Sequence, residues 1–132
     1  MTESRPKKFG FSKAERLTGK KKIEELFKHG SSFFLHPLLV KFHHTDEELH
    51  RVLISVPKKK FKRAVDRNLI KRRIREAYRL NKHLVYGEQQ PFFHVAIIYQ
   101  DNSILPYSEI EKKLIILLKR LVQKTAPSNE KS

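Results

Sequence analysis

Apolar positions change period several times along the chain, and each change marks an element. Between Lys20 and His29, Ile23, Leu26 and Phe27 recur at helical spacing, and Gly30 stands where a C-terminal cap belongs. This predicts a short first helix, with Ser12 as a candidate for an earlier start. From Ser31 the spacing shortens. Phe33, Phe34 and Leu35 lead to Pro37, and beyond it Leu38, Val40 and Phe42 alternate with Leu39, Lys41 and His43, the period of a strand. Proline cannot donate to a ladder, so Pro37 predicts two strand pieces or a bulge. The following TDEELH reads as a polar hairpin loop. After it Val52, Ile54 and Val56 face one way and Arg51, Leu53 and Ser55 the other, until Pro57 ends the strand.

A long helix is predicted next, from near Arg63 to about Val85–Tyr86, before Gly87. PFFHVAIIYQ is apolar on both faces, as expected of a central strand covered on each side. Ser108 is a candidate cap for a last helix, whose core stripe is Ile110, Leu114, Leu117, Leu118 and Leu121. The order is helix, two or three strands, basic helix, strand, helix: a single-domain α+β sandwich, with a strand–helix–strand passage through the basic segment. Residues 1–10 are expected to be a flexible basic tail, 11–123 the domain, and 124–132 a second flexible tail, since both ends are polar and aperiodic.

Composition narrows what such a domain does. A chain of 132 residues is long enough for one core and too short for two independent ones. The net charge of +15 attracts phosphate backbones or anionic surfaces. It is concentrated: Lys58 to Arg79 holds eleven Lys or Arg against two acids, Asp66 and Glu76. There is no cysteine, which excludes disulfides, thiolate metal sites and cysteine nucleophiles. No apolar run approaches the ~18 residues of a membrane span. A cytoplasmic nucleic-acid partner, without membrane contact, is the simplest expectation.

The helical angle of about 100° per residue sorts the basic segment into two stripes. Ile70, Ile74, Ala77, Tyr78 and Val85 share one arc, with Asn81 inside it. Asn68, Lys71, Arg72, Arg75, Arg79 and Lys82 share another, about a third of a turn away. A disordered cationic tail has no reason to keep an apolar stripe in register, so the segment is expected to dock on a core and present a cationic ridge. Cations on a helix face are usually just solvated, but a solvated helix intersperses Glu for i,i+4 support, and here Glu76 lies off to one side. A phosphate-binding ridge should make binding salt-dependent, with a log–log slope of roughly 0.7–0.9 per phosphate neutralised. Asn68 among guanidinium groups suits a base edge, a ribose hydroxyl or a metal-bound water; a local helix-end hydrogen bond is the plainer reading.

No protein active site stands out. His43, His44, Asp46, Glu47, Glu48 and His50 gather around the polar loop, but adjacent histidines on a strand face opposite ways, and a solvated loop is the expectation. Asp66 and Glu76 lie about 15 Å apart along the helix, too far for a carboxylate pair. Asp66 instead favours the helix N-terminus through the macrodipole. His94 on the central strand reads as a satisfied core residue. No Walker loop, GxGxxG or nucleophile elbow is present.

The run AVDRNLIKRRIREAYR resembles the signature helix of the bacterial ribonuclease P protein subunit, with Ala64, Arg67, Asn68, Lys71, Arg72, Ile74, Arg75 and Glu76 at motif spacing. ELFKHG with Gly30, the RVLISVPKK strand, and the late apolar strand with its terminal helix follow in family order. The resemblance implies an α+β sandwich with a left-handed strand–helix–strand crossover, against the usual handedness. It implies a holoenzyme, a tRNA 5′-maturation endoribonuclease, in which a catalytic RNA uses Mg²⁺ to remove the 5′ leader of precursor tRNA; no protein side chain is expected to be catalytic or to hold the metal. It places Arg67, Asn68, Lys71, Arg72, Arg75 and Arg79 against the RNA subunit. Ile23, Phe27 and Lys41 would line a leader cleft between sheet and first helix, where aromatic rings can stack on unpaired bases. The free protein is expected to be monomeric.

The chain departs from the family pattern at several positions. Leu69 stands where a third motif arginine is common, but it points away from the ridge. Ile23 and Lys41 stand where aromatic residues are common, and KKKF (58–61) where a glycine is common. The alternative is a non-catalytic basic RNA- or DNA-binding protein of ribosomal-protein type. A helical DNA reader needs a second helix a short turn before the recognition helix, and the strand ending at Pro57 occupies that place.

Overall fold

The computed structural model describes residues 13–85 and 92–125. The expected tail 1–10, most of the tail 124–132, Ser12, and the predicted helix stop at Gly87 lie outside them. A 3-10 turn at Lys13–Glu15 precedes α1 (Lys20–His29), β1 (Ser31–Leu35), β2 (Leu38–Thr45), β3 (Arg51–Ser55), α2 (Ala64–Asn81), β4 (Phe92–Tyr99) and α3 (Tyr107–Thr125).

The four strands form one sheet in the order β1-β2-β4-β3. Pro37 does split the first apolar stretch in two, and β1 and β2 pair antiparallel across it, Leu35 opposite Leu38. The Thr45–His50 segment, however, is not a hairpin loop. β4 lies between β2 and β3, antiparallel to the first and parallel to the second. The physical reason is in β4 itself: Phe93, Val95, Ile97 and Tyr99 are buried on one face and Ala96 on the other. Only a central position covers both faces, and β3 and β4 are then joined as parallel neighbours through α2.

On one face of the sheet, Leu38, Val40, Phe42, Val52, Val95, Ile97 and Tyr99 pack with the α2 stripe Ile70, Ile74, Ala77, Tyr78 and the α3 stripe Ile110, Leu114, Leu117, Leu118, Leu121. Both predicted helical stripes are thus core. Emptying one such position, Ile74→Ala for example, costs about 2–5 kcal/mol. Phe61, in the loop before α2, is also buried against Tyr99, with ring centroids 6.0 Å apart. The segment read only as part of the basic run therefore anchors α2 through its phenylalanine.

The other face is covered by α1 and the segment before it, through Leu17, Leu26 and Ala96, with Ile23, Leu53 and Ile98 packed around them. Gly19, at φ 97°, turns the chain into α1. At the other end Gly30 donates to the Leu26 carbonyl, and a Cβ there would lie 2.5 Å from that oxygen and 2.8 Å from the Phe42 carbonyl. The glycine is required by this close approach of helix end and strand.

Two helix boundaries differ from expectation. α3 starts at Tyr107, with Glu109 and Ile110 donating to the Pro106 carbonyl, so Ser108 sits inside the first turn instead of capping it. It also runs to Thr125, two residues into the stretch read as tail. α2 ends at Asn81, whose amide donates to Ala77 O and to Glu111 of α3, and a 3-10 turn at Lys82–Leu84 follows.

Candidate nucleic-acid interface

The cationic stripe of α2 does not behave as one set. Lys71, Arg72 and Arg75 carry no ion-pair partner among the described residues. Arg72 and Asn68 are exposed, and Lys71 and Arg75 half-buried. Arg67, by contrast, is committed to the fold: its Nη1 donates to the carbonyls of Phe61 at 2.8 Å and Lys62 at 3.0 Å, bracing the loop that leads into the helix. Arg79 is bound to Glu76 through two contacts, 3.1 and 2.7 Å, so its charge reaches the surface partly neutralised.

Lys82 corrects the wheel. It lies at the end of the cationic arc by angle, yet it is buried and ion-paired with Glu15. The helix has ended by then, and the 3-10 turn swings the side chain inward toward the N-terminal segment. The ridge therefore runs from Asn68 to Arg79. Beyond its first residue the exposed Lys58, Lys59, Lys62 and Arg63 continue the positive surface around the start of α2.

The second cluster lies on the sheet face that α1 only partly covers. Alternation puts Leu39, Lys41 and His43 of β2 on this side, and register aligns Phe34, Leu39, Ile98 and Ser55 in one row across the sheet. Lys41 stands in the next row, between Ser32 and Ala96 with Leu53 beyond, under α1. Phe27, at the end of α1, is 40% exposed, and the Lys41 ammonium lies 5.9 Å from its ring centroid. The structure thus brings Phe27 and Lys41 together. Ile23 packs with the Leu17–Leu26–Ala96 cluster, half-buried beneath them. Phe34 is 56% exposed, and it was not singled out in the sequence. The signal was available: in Phe33-Phe34 one ring must face away from the core, and Phe33 stacks on buried Phe42 at 5.0 Å.

α1 is held over this face by a polar hub that sequence reasoning assigned to a solvated loop. Glu47 accepts from Arg51 Nε at 2.8 Å and from Lys22 of α1 at 3.3 Å, and lies 2.8 Å from His94 Nε2. The Arg51 guanidinium first, then His94, hold its carboxyl well below the usual range, at about 2. Arg51 also donates to the Ala14 carbonyl, tying down the segment before α1. His94 is thus a satisfied interior histidine. His50 is buried, with Nε2 3.0 Å from Val85 O and Nδ1 accepting from Phe93 N–H. Among the described residues no three His, Asp or Glu side chains are grouped to hold a metal ion. No helix among them is long and apolar enough to cross a membrane.

The family model Ribonuclease P matches residues 11–122. The chain belongs to the ribonuclease P protein family.

Relatives support this along most of the length. The chain is 39% identical to the ribonuclease P protein component of Porphyromonas gingivalis, covering 95% of this chain and 98% of that one. It is 32% identical to that of Syntrophus aciditrophicus, over 85% and 91%. Among solved structures, the RNase P protein of Thermotoga maritima superposes with a TM-score of 0.69 at 28% identity, covering 80% of this chain and 96% of that one. A mutant RNase P protein of Staphylococcus aureus gives 0.72 at 25% identity, over 90% and 98%. The mixed α+β fold is the ribonuclease P protein fold, and the chain is an RNA-binding protein of tRNA processing. As a ribonuclease P protein component it works in the ribonuclease P holoenzyme, in partnership with the RNA subunit.

Proposed function

We propose that this protein seats the catalytic RNA on the α2 ridge and holds the 5′ leader of precursor tRNA on the α1–sheet face, so that the RNA removes the leader. The observation that carries the reading is the division of labour on α2. Its apolar stripe is wholly buried, while Lys71, Arg72 and Arg75 form no ion pair with an acid among the described residues. Such a helix is fixed in direction before it meets its ligand, so a polyanion binds without an ordering cost for the protein backbone.

The leader assignment is supported by chemistry. Phe27 and Phe34 present exposed rings to unpaired bases, and Lys41 beside Phe27 supplies a phosphate contact at the same place. Mg²⁺ belongs to the RNA in this reading. Among the described residues no three acidic or histidine side chains group to hold it, and Glu47, Glu76 and Glu15 are each paired with basic side chains. What the protein contributes is position and positive charge, which lets two RNAs approach and lowers the divalent concentration that their repulsion would otherwise demand. The free protein is read as a monomer acting in the cytoplasm.

Reconstitution with the RNA subunit tests this. The expected result is a lower Mg²⁺ requirement and tighter precursor-tRNA binding at near-physiological salt. A chain that changes neither is a basic binding protein of another kind.

A further inference from the structure

The segment before α1 touches the sheet only briefly, and a cleft opens where it leaves. Arg16 forms a parallel bridge to Val52 at the outer edge of β3, and Leu17 N–H donates to Val52 O at 2.9 Å. The chain then turns away at Gly19. By the alternation of a parallel ladder, the next β3 residue with its N–H and C=O facing outward is Ile54. No described segment pairs with it there.

The resulting cleft, about 210 Å³, has Arg16 and Thr18 on one side, the β3 edge from Val52 to Ile54 as its floor, and Lys71 and Arg75 of α2 on the other. Among the described residues no acid and no aromatic ring lines it. Arg75 brings a further anomaly. Its Nε is shut off from solvent and has no hydrogen-bond partner. A guanidinium N–H left in that state is costly, and a turn of the side chain that brings Nε and a neighbouring Nη onto an anion in the cleft relieves it, since the two form the fork that grips two phosphate oxygens.

We propose that this cleft is a phosphate seat, in which one backbone phosphate of the catalytic RNA is held jointly by Arg16 from the N-terminal segment and by Lys71 and Arg75 from α2. The inference rests on the ridge reading above and extends it to a residue no motif marks. Cations from two separate elements and an unpaired strand edge favour a phosphodiester over a base, which would need a ring to stack on. The catalytic RNA is the source because Lys71 and Arg75 continue the Arg72 ridge, so a strand lying on α2 reaches the cleft directly. Arg16 is exposed, so a strand lying on α2 can reach it.

The test is a double-mutant cycle on binding of the RNA subunit by the full chain. Arg16→Ala and Arg75→Ala should each weaken binding about 5-fold or more, and the double variant should lose at least about 3-fold less than the product of the two losses, because they share one phosphate. Arg16→Lys should recover part of the loss. If Arg16→Ala unfolds the chain, Arg16→Gln carries the cycle. Wild-type affinity in the Arg16 variant, or strictly multiplicative losses, overturns the shared seat. Arg72→Ala separates the two readings: weakened binding there with an unaffected Arg16 variant sinks the cleft alone, and no effect at either position sinks the ridge. A defect that emerges only with leader-bearing precursor, and not with the RNA subunit, assigns the phosphate to the leader and also overturns the proposal.

Discussion

Lys82 Nζ lies 2.8 and 3.0 Å from the two carboxylate oxygens of Glu15, across 67 positions of sequence and shielded from water. This pair fastens the N-terminal segment to the end of α2. It therefore sets the segment against β3, where Arg16 comes to face the cationic ridge.

Removing one partner strands a charge. Lys82→Ala should destabilise the chain by about 3 kcal/mol, because the buried Glu15 carboxylate loses the ammonium that meets both its oxygens. The pair Lys82→Met with Glu15→Leu should recover most of that stability. Urea denaturation of the three variants measures both. A variant at Lys82 that kept its stability while flattening the salt dependence of RNA binding would return Lys82 to the ridge.

His50 makes stability pH-dependent. Burial pushes its imidazole down from 6.5 to about 4, and the neutral form is the one that can accept from Phe93 while facing Val85 O. The folded pKa is the depressed one, so the unfolded chain takes up the proton first as pH falls. Stability is full above pH 6.5 and is lost as pH drops toward about 4, by roughly 3 kcal/mol in total. Denaturation series between pH 7.5 and 4 should show this slope, and a His50→Gln variant should flatten it relative to the parent.

Arg67 and Arg72 lie on one helix but differ in what holds them, and their removal should have different effects. Arg67→Ala removes hydrogen bonds to the Phe61 and Lys62 carbonyls and should lower stability by about 1–2 kcal/mol, with RNA binding falling alongside. Arg72→Ala should leave the melting temperature unchanged and reduce the slope of log K against log salt by roughly 0.7–0.9. Thermal melts and salt titrations on the same preparations distinguish the two.

Phe34 offers the cleanest test of the leader face. More than half exposed, it contributes little to the core, so Phe34→Ala should fold normally. It should weaken holoenzyme binding of leader-bearing precursor about 5-fold or more, and leave mature tRNA binding unchanged. Equal effects on both ligands would remove Phe34 from the leader path.

Local pattern made much of this legible. The α2 stripe of Ile70, Ile74, Ala77 and Tyr78 and the α3 stripe from Ile110 to Leu121 are buried as their spacing requires. A helix carries its periodicity within a few turns, and the resemblance at Arg67-Asn68 and Lys71 to Glu76 is equally local. Pro37 and Gly30 marked their breaks for the same reason: each constrains the backbone where it stands.

What the pattern could not reach were the contacts between distant residues. Thr45–His50 looked like a hairpin loop because strand alternation carries no record of which strand a neighbour pairs with; β4, some forty residues later, takes the place between. Arg79 and Lys82 shared the wheel's cationic arc, and Arg67 joined them through the resemblance; only their Glu76, Glu15 and carbonyl partners separate them from Lys71, Arg72 and Arg75. Glu47 in a polar loop gave no sign that it would bind Lys22, Arg51 and His94 at once. The sequence by itself determined the elements, the core stripes and the family, because those follow from backbone preference and side-chain period. The tertiary structure decided which charges are spent inside the protein and which stay at its surface, because pairing depends on distances that chain order does not encode.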